Sequence, residues 1–226
     1  MTTGLRFAAV EALSDSASSN CFPFEGNVNC IALFNHEEIG SVSTTGAESS
    51  LIPSLLRRLS PSPALLDQSI AKSLLVSADV GHAVHPNYAN KHEENHRPQM
   101  NGGIVIKTNA KQRYASDAIG SFAVKKLIEK KGGKVQEFEV RNDMYVNLPL
   151  CATILDLNFQ IKRGCGSTVG PMLSKLGLRT VDVGCATLSM HSIRETAGSH
   201  DVQHAIDFFT SFFEGFAALD DQLSVD

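Results

Sequence analysis

Apolar residues along the chain recur with two periods, one typical of helices and one typical of strands. Helical spacing predicts helices at about residues 3–14, 51–59, 117–130, 168–176 and 206–219. Short apolar runs or alternation predict strands at residues 28–34, 74–78, 104–106, 135–140 and 180–183. Helices that alternate with apolar strands indicate an α/β fold, a layered sheet with helices on its faces. In such sheets, functional groups gather at the carboxyl ends of the strands.

Composition narrows the class of protein only slightly. A chain of 226 residues, 42% hydrophobic and 19% charged, fits one large globular domain or part of one. The net charge of −4 gives no reason to expect nucleic acid or an anionic membrane as a partner. No run of 18 apolar residues is present, so we expect no transmembrane helix. Five scattered cysteines without a CxxC pair favour reduced thiols in a cytoplasmic protein.

Two adjacent carboxylates, Glu37 and Glu38, follow the apolar run at 28–34 within the sequence NHEEIGS (35–41). Neighbouring side chains on an extended chain point in opposite directions. One glutamate can therefore bind a metal while the other exchanges a proton with water, as a hydrolytic metal site requires. A solvated turn with two surface glutamates is the alternative.

Further ligand-type residues follow two other predicted strands. Asp79 ends the strand at 74–78, and His82 and His85 come three and six residues later. Oxygen and nitrogen donors of this kind suit zinc. The alternative, which would give the same sequence pattern, is an aspartate that caps the next turn and histidines that are partly exposed. His191 follows the last predicted strand. A single histidine is more often structural, and His191 is a candidate metal ligand only because the other donors also lie at strand ends.

Residues 92–96 (HEENH) match the HExxH signature of zincin proteases. That signature works on a helix, where both histidines share one face. Prolines bracket this segment and no apolar face accompanies it. We therefore predict a polar loop near the site, and a zincin-type protease using His92, Glu93 and His96 is the less favoured alternative.

Several long stretches together resemble the aspartyl aminopeptidases, the M18 family of dizinc metallo-aminopeptidases. They are NHEEIGS (35–41), SADVGHAVHPNYANKHEENHRPQMNGG (77–103), IKTNAKQRYASDA (106–118) and SMHSIRE (189–195). The resemblance covers most of the chain. It implies a zinc exopeptidase-like α/β/α fold, with a central mixed β-sheet flanked by helices.

The resemblance also implies roles for single residues. Glu37 matches the general base that acts on zinc-activated water. Glu38 and His191 match ligands of one zinc ion, and Asp79 matches a ligand of the other.

Substrate contacts follow from the same resemblance. His82, Lys107 and Tyr114 match residues that contact substrate, and a lysine there suits an acidic side chain. The implied function is removal of N-terminal Asp or Glu from peptides by a cytoplasmic enzyme. Members of the family form homo-oligomers of twelve subunits.

The chain departs from the family pattern at its start. The family's first histidine ligand and the aspartate that bridges its two metals match no residue here, and neither does its assembly domain. We therefore interpret residues 1–226 as a single, partial catalytic domain that is truncated at the N-terminus. This chain alone is expected to have little or no aminopeptidase activity, and a catalytically inactive paralogue or isoform is the alternative function.

A second departure lies at residues 145–163 (YVNLPLCATILDLNFQIKR), which separate RND from a glycine-rich GCGSTVGP segment. This apolar stretch is a poor match to loop chemistry. We interpret it as an insertion from a retained intron or a gene-model error, with a genuine loop as the alternative. We expect an irregular excursion rather than a strand of the sheet.

Overall fold

The computed structural model describes residues 27–139, 141 and 169–223. The α-helices in these ranges are α1 (Leu51–Leu59), α2 (Pro63–Lys72), α3 (Ala118–Lys130), α4 (Val169–Leu173) and α5 (Ser199–Asp220), and 3-10 helices lie at Glu37–Ile39, Pro86–Lys91 and Ser174–Leu176. The strands are β1 (Leu74–Ala78), β2 (Gly81–His82), β3 (Ile104–Thr108), β4 (Val135–Glu139), β5 (Arg179–Gly184), β6 (Ala186–Leu188) and β7 (Thr196–Ala197). The predicted helix at 3–14 and the segment 145–163 lie outside the described residues.

The central sheet has four strands in the order β1-β5-β3-β4. β1 runs parallel to β5 and β3 runs parallel to β4, whereas β3 and β5 are antiparallel. A smaller sheet has the order β2-β6-β7, with β2 parallel to β6. The prediction of a mixed sheet with flanking helices is confirmed.

Alternation along β3 assigns its residues to the two faces of the sheet. Ile104 and Ile106 join one apolar cluster with residues of β5, α3 and α5. Val105 joins a second cluster that contains Tyr114 and Phe138. Lys107 has the same parity as Val105, so its side chain belongs to the face that carries Tyr114.

The first cluster is built around the phenylalanines of α5. Phe208 is buried, and its ring centroid lies 5.1 Å from that of Phe209 and 6.3 Å from that of Phe212.

Among the described residues, no helix is long and apolar enough to cross a membrane.

Truncation of Phe208 to alanine is expected to lower the free energy of unfolding by about 3–5 kcal/mol, because it removes a buried aromatic ring and leaves a cavity. The measurement is urea unfolding followed by circular dichroism. Phe122→Ala is the matched control, since the Phe122 side chain is 45% exposed. Equal losses in the two variants would show that α5 does not anchor this core.

The predicted buried strand at 28–34 is wrong. These residues belong to neither sheet, and Val28 and Leu33 are 84% and 63% exposed. A strand needs a neighbour that pairs with its backbone. Just after the segment, the Asn35 N–H donates to the Thr45 carbonyl, which belongs to a nearby turn and not to a strand. An apolar run indicates a tendency to be buried but does not identify the partner.

Candidate active site

Glu37 and Glu38 lie in a single 3-10 turn, Glu37–Ile39. His36 before the turn and Gly40 after it adopt left-handed backbone conformations, with φ of 62° and 113°. The Gly40 N–H donates to the Glu37 carbonyl and closes the turn. Glu37 is half-buried, whereas Glu38 is exposed.

The loop after β6 brings His191 to this turn. His191 itself has a positive φ of 66°. Its Nε2 atom lies 2.8 Å from Oε2 of Glu38, and both side chains are at least half exposed. The two residues predicted to share one metal therefore lie side by side.

Asp79 and Lys107 form the inner part of the site. The Asp79 N–H donates to the Val183 carbonyl, which places the aspartate directly after β1 at the end of its pairing with β5. The Lys107 ammonium is fully buried and lies 3.9 Å from Oδ2 of Asp79. It also donates to the carbonyls of Asp79 and Val80 at 3.5 and 3.3 Å, and lies 4.9 Å from the centroid of the Tyr114 ring.

The charges in the site act on one another. Burial raises the pKa of Glu37, and the negative charges of Asp79 and Glu38 raise it further, while Lys107 and His191 lower it. Burial also lowers the pKa of Lys107, against the opposite effect of the nearby carboxylates of Asp79, Asp182 and Glu37. The predicted residues therefore share one electrostatic environment.

His82 belongs to the same environment. Partial desolvation lowers the pKa of its imidazole, and positive charge on His92, His191 or Lys107 lowers it further. That these strand ends form one metal site stays a prediction.

The donor types fit zinc, but their number is incomplete. Nε2 of His191 and Oε2 of Glu38 lie 2.8 Å apart, the length of a charge-assisted hydrogen bond, whereas two ligands of one tetrahedral zinc lie about 3.3 Å apart. Within residues 27–139, 141 and 169–223, however, no three His, Cys, Asp or Glu side chains form a group that could hold a metal. A catalytic zinc site takes three protein ligands, so the described residues supply only part of one.

One contributor to the site was not predicted. Asp182, in the middle of β5, is fully buried and its Oδ2 accepts a hydrogen bond of 2.6 Å from the N–H of Ala115. Ala115 follows Tyr114, so the bond fixes the loop that carries the tyrosine. The available signal was a charged residue inside the apolar strand sequence TVDVG (180–184).

The HEENH segment is not helical, as predicted. The Nε2 atom of His92 lies 3.2 Å from the His82 carbonyl, while Nδ1 of His96 lies 2.5 Å from Glu93. The two histidines do not share a helical face, which contradicts the zincin alternative.

Glu137 of β4 holds the far end of this segment, because its carboxylate pairs with Lys125 and lies 3.6 Å from Nε2 of His96. The hydrogen bond from Lys125 keeps the pKa of Glu137 below its usual value of 4.5. A depressed pKa adds stability above pH 4.5, and this stability is lost as pH falls through the folded-state value.

Glu137→Gln is therefore expected to destabilise the protein at pH 7, by less than about 1 kcal/mol because the pair is partly exposed. The difference in the free energy of unfolding between this variant and the unchanged protein should disappear in acid. Urea unfolding at pH 7 and at pH 3 measures it, with Glu94→Gln as an exposed control. A deficit that is the same at both pH values would contradict the ionic origin.

The family of the chain follows from comparison of its sequence with known protein families. Residues 3–213 match the family model described as "Aminopeptidase I zinc metalloprotease (M18)". The chain therefore belongs to this family of zinc metalloproteases.

Individual proteins of similar sequence support the same family assignment. The chain is 46% identical to a probable aspartyl aminopeptidase of Ricinus communis, over 98% of this chain and 43% of that protein. It is 41% identical to aspartyl aminopeptidase 1 of Schizosaccharomyces pombe, over 99% of this chain and 44% of that protein. The chain thus spans less than half the length of these relatives.

Solved structures show the same fold. The structure matches the cryo-EM structure of the Ape4 and Nbr1 complex with a TM-score of 0.78 and 40% identity, over 99% of this chain and 40% of that one. It matches the S. cerevisiae mApe1 dodecamer with a TM-score of 0.76 and 31% identity, over 98% of this chain and 46% of that one. The zinc exopeptidase-like α/β fold is therefore confirmed.

Proposed function

We propose that this chain carries most of the active site of a metallo-aminopeptidase that removes N-terminal Asp or Glu from peptides. The observation that supports this most strongly is the fully buried ammonium of Lys107 beside the carboxylate of Asp79. A buried cation next to a hydrolytic site can pair with an acidic side chain of the substrate.

We assign catalytic roles to the residues of the site from their positions relative to one another. Glu38 and His191 would hold one zinc ion, and Asp79 would contribute to a second. Zinc, when bound there, acts as a Lewis acid that polarises the scissile carbonyl. Glu37 takes a proton from the attacking water and passes it to the leaving amine, and its raised pKa brings it closer to the operating pH.

Specificity would come from Lys107, Tyr114 and His82. The ammonium of Lys107 has three N–H donors, and two of them reach the carbonyls of Asp79 and Val80. The Asp79 carboxylate, at 3.9 Å, is too distant for a hydrogen bond. We propose that the third donor reaches an acidic side chain of the substrate, which the ring of Tyr114 would help to orient.

A second candidate function is a subunit without turnover. It is favoured by the finding that the described residues do not bring three metal donors together. For the same reason we expect the 226-residue chain alone to hydrolyse peptides slowly. Association with further copies is part of the proposal, because one structural relative is a dodecamer. A cytoplasmic location also remains a prediction.

Hydrolysis assays separate the two functions. Aspartyl, glutamyl, asparaginyl and leucyl p-nitroanilides are offered to the chain in excess zinc. They are also offered to a chimera in which the chain replaces the matching segment of the Ricinus communis relative. We expect the chimera to release Asp and Glu, to lose activity to a chelator and to regain it with zinc. A folded chimera that binds zinc but releases no residue would favour the inactive subunit.

A further inference from the structure

The edge of β2 beside His82 is covered by the segment that follows it. The N–H groups of Gly81 and Ala83 donate to the carbonyls of Cys185 and Thr187, so these residues face β6. Peptide groups alternate in direction along a strand, so the carbonyl of His82 points away from β6. Among the described strands β2 lies at the edge of its sheet, and none of them provides a partner for this carbonyl.

Residues 85–98, here called the brace loop, supply the missing partners. The Val84 N–H donates to the Pro98 carbonyl at 2.8 Å, which returns the end of the loop to the strand. Nε2 of His92 lies 3.2 Å from the His82 carbonyl. A carbonyl can only accept, so Nε2 carries the hydrogen and an imidazole takes the place of a neighbouring strand.

His92 also supports the inner part of the site through aromatic contacts. Its side chain is only 8% exposed and meets the Phe138 ring edge-on, with 5.6 Å between centroids. Phe138 in turn lies 6.5 Å from the ring of Tyr114, which contacts Lys107. A continuous row of packed rings thus connects the brace loop to the buried ammonium.

The brace loop is held at two further points. His96 bonds Glu93 within the loop and lies 3.6 Å from Glu137 of β4. Arg141 donates to the Asn90 carbonyl at 2.5 Å. The loop is therefore fixed to both β2 and the β4 side of the central sheet, so its histidine is held in place.

We propose that His92 is a positioning residue for the substrate pocket: its hydrogen bond sets the backbone at His82, and its ring supports Tyr114 through Phe138. This rests on the proposed function, in which His82, Tyr114 and Lys107 contact the acidic residue of the substrate. It gives the HEENH segment a role that needs no metal.

Nuclear magnetic resonance of the chain tests the positioning without requiring activity. The eight histidines give few imidazole signals, and single substitutions assign them. His92→Phe keeps the ring on Phe138 but removes the donor, so the His82 signal should shift and broaden. His92→Gln, whose amide can donate from a similar position, should restore the His82 signal but not the ring packing at Tyr114. The control is His200→Phe, an exposed position on α5.

An unchanged His82 signal in His92→Phe would overturn the proposal, whether or not any peptide is hydrolysed. Kinetics of an active chimera supply the second readout. His92→Phe should raise KM for an aspartyl substrate about 3- to 10-fold, the range of one neutral hydrogen bond, with a smaller change in kcat. His92→Gln should recover most of that loss. Equal losses in both variants, with no shift at His82, would indicate a merely structural residue.

Discussion

Replacement of Glu37 by glutamine is expected to lower kcat for an aspartyl substrate by about 10²–10⁴-fold, the usual contribution of a general base. Glutamine has nearly the same shape and forms similar contacts, but it cannot accept the proton of the attacking water. KM should change little, because Glu37 is not proposed to hold the substrate.

The comparison is made in the chimera with saturating zinc, so that metal content is equal in all variants. Glu48→Gln is the control, since Glu48 is exposed in the segment that follows the same turn. Activity of Glu37→Gln within a few-fold of the unchanged protein would remove Glu37 from the mechanism. The other site residues would then need new roles.

Replacement of Lys107 by methionine is expected to abolish the preference for acidic residues while leaving the fold intact. A hydrogen bond to a charged group contributes about 1.5–3 kcal/mol, so the ratio of kcat/KM for aspartyl over leucyl substrates should fall about 10- to 100-fold. Stability should fall, because removal of the buried cation leaves the carboxylates of Asp79 and Asp182 less well compensated.

Substrate ratios and urea unfolding of the same preparation measure both effects. The control is Lys130→Met, at an exposed position at the end of α3. An unchanged substrate ratio in Lys107→Met would mean that another cation recognises the acidic side chain. A Lys107→Met protein that does not fold at all would instead assign Lys107 to the fold.

Periodicity predicted most, but not all, of the elements that are long enough to show a period. The helix at 117–130 and the strand at 74–78 match α3 and β1 almost residue for residue. β2 and β7 have two residues each, so no period is visible in them. α2 was missed although Ser62 caps it and Pro63 opens it, both ordinary signals of a helix start.

The candidate ligands could be read from the sequence, but Asp182 and the geometry of the site could not. Ligand-type residues after strands could be read from the sequence, and so could the mismatch between HEENH and a helix. The approach of His191 to Glu38 could not, because it depends on left-handed backbone at His36 and at His191 itself. Non-glycine residues adopt such conformations rarely, and tertiary contacts decide where they do.

Binding of paramagnetic Co²⁺ to the chain tests most directly whether Glu38 and His191 hold one metal ion. The binding is followed at the nuclear magnetic resonance signals of the histidines. Broadening near the ion reveals even weak binding, so an incomplete ligand set does not prevent the measurement. The pairing of Glu38 with His191 predicts that His191 broadens first, that Glu38→Gln suppresses this effect, and that His200 stays sharp. Broadening of His92 and His96 first, or an unaffected His191, would contradict the proposed site.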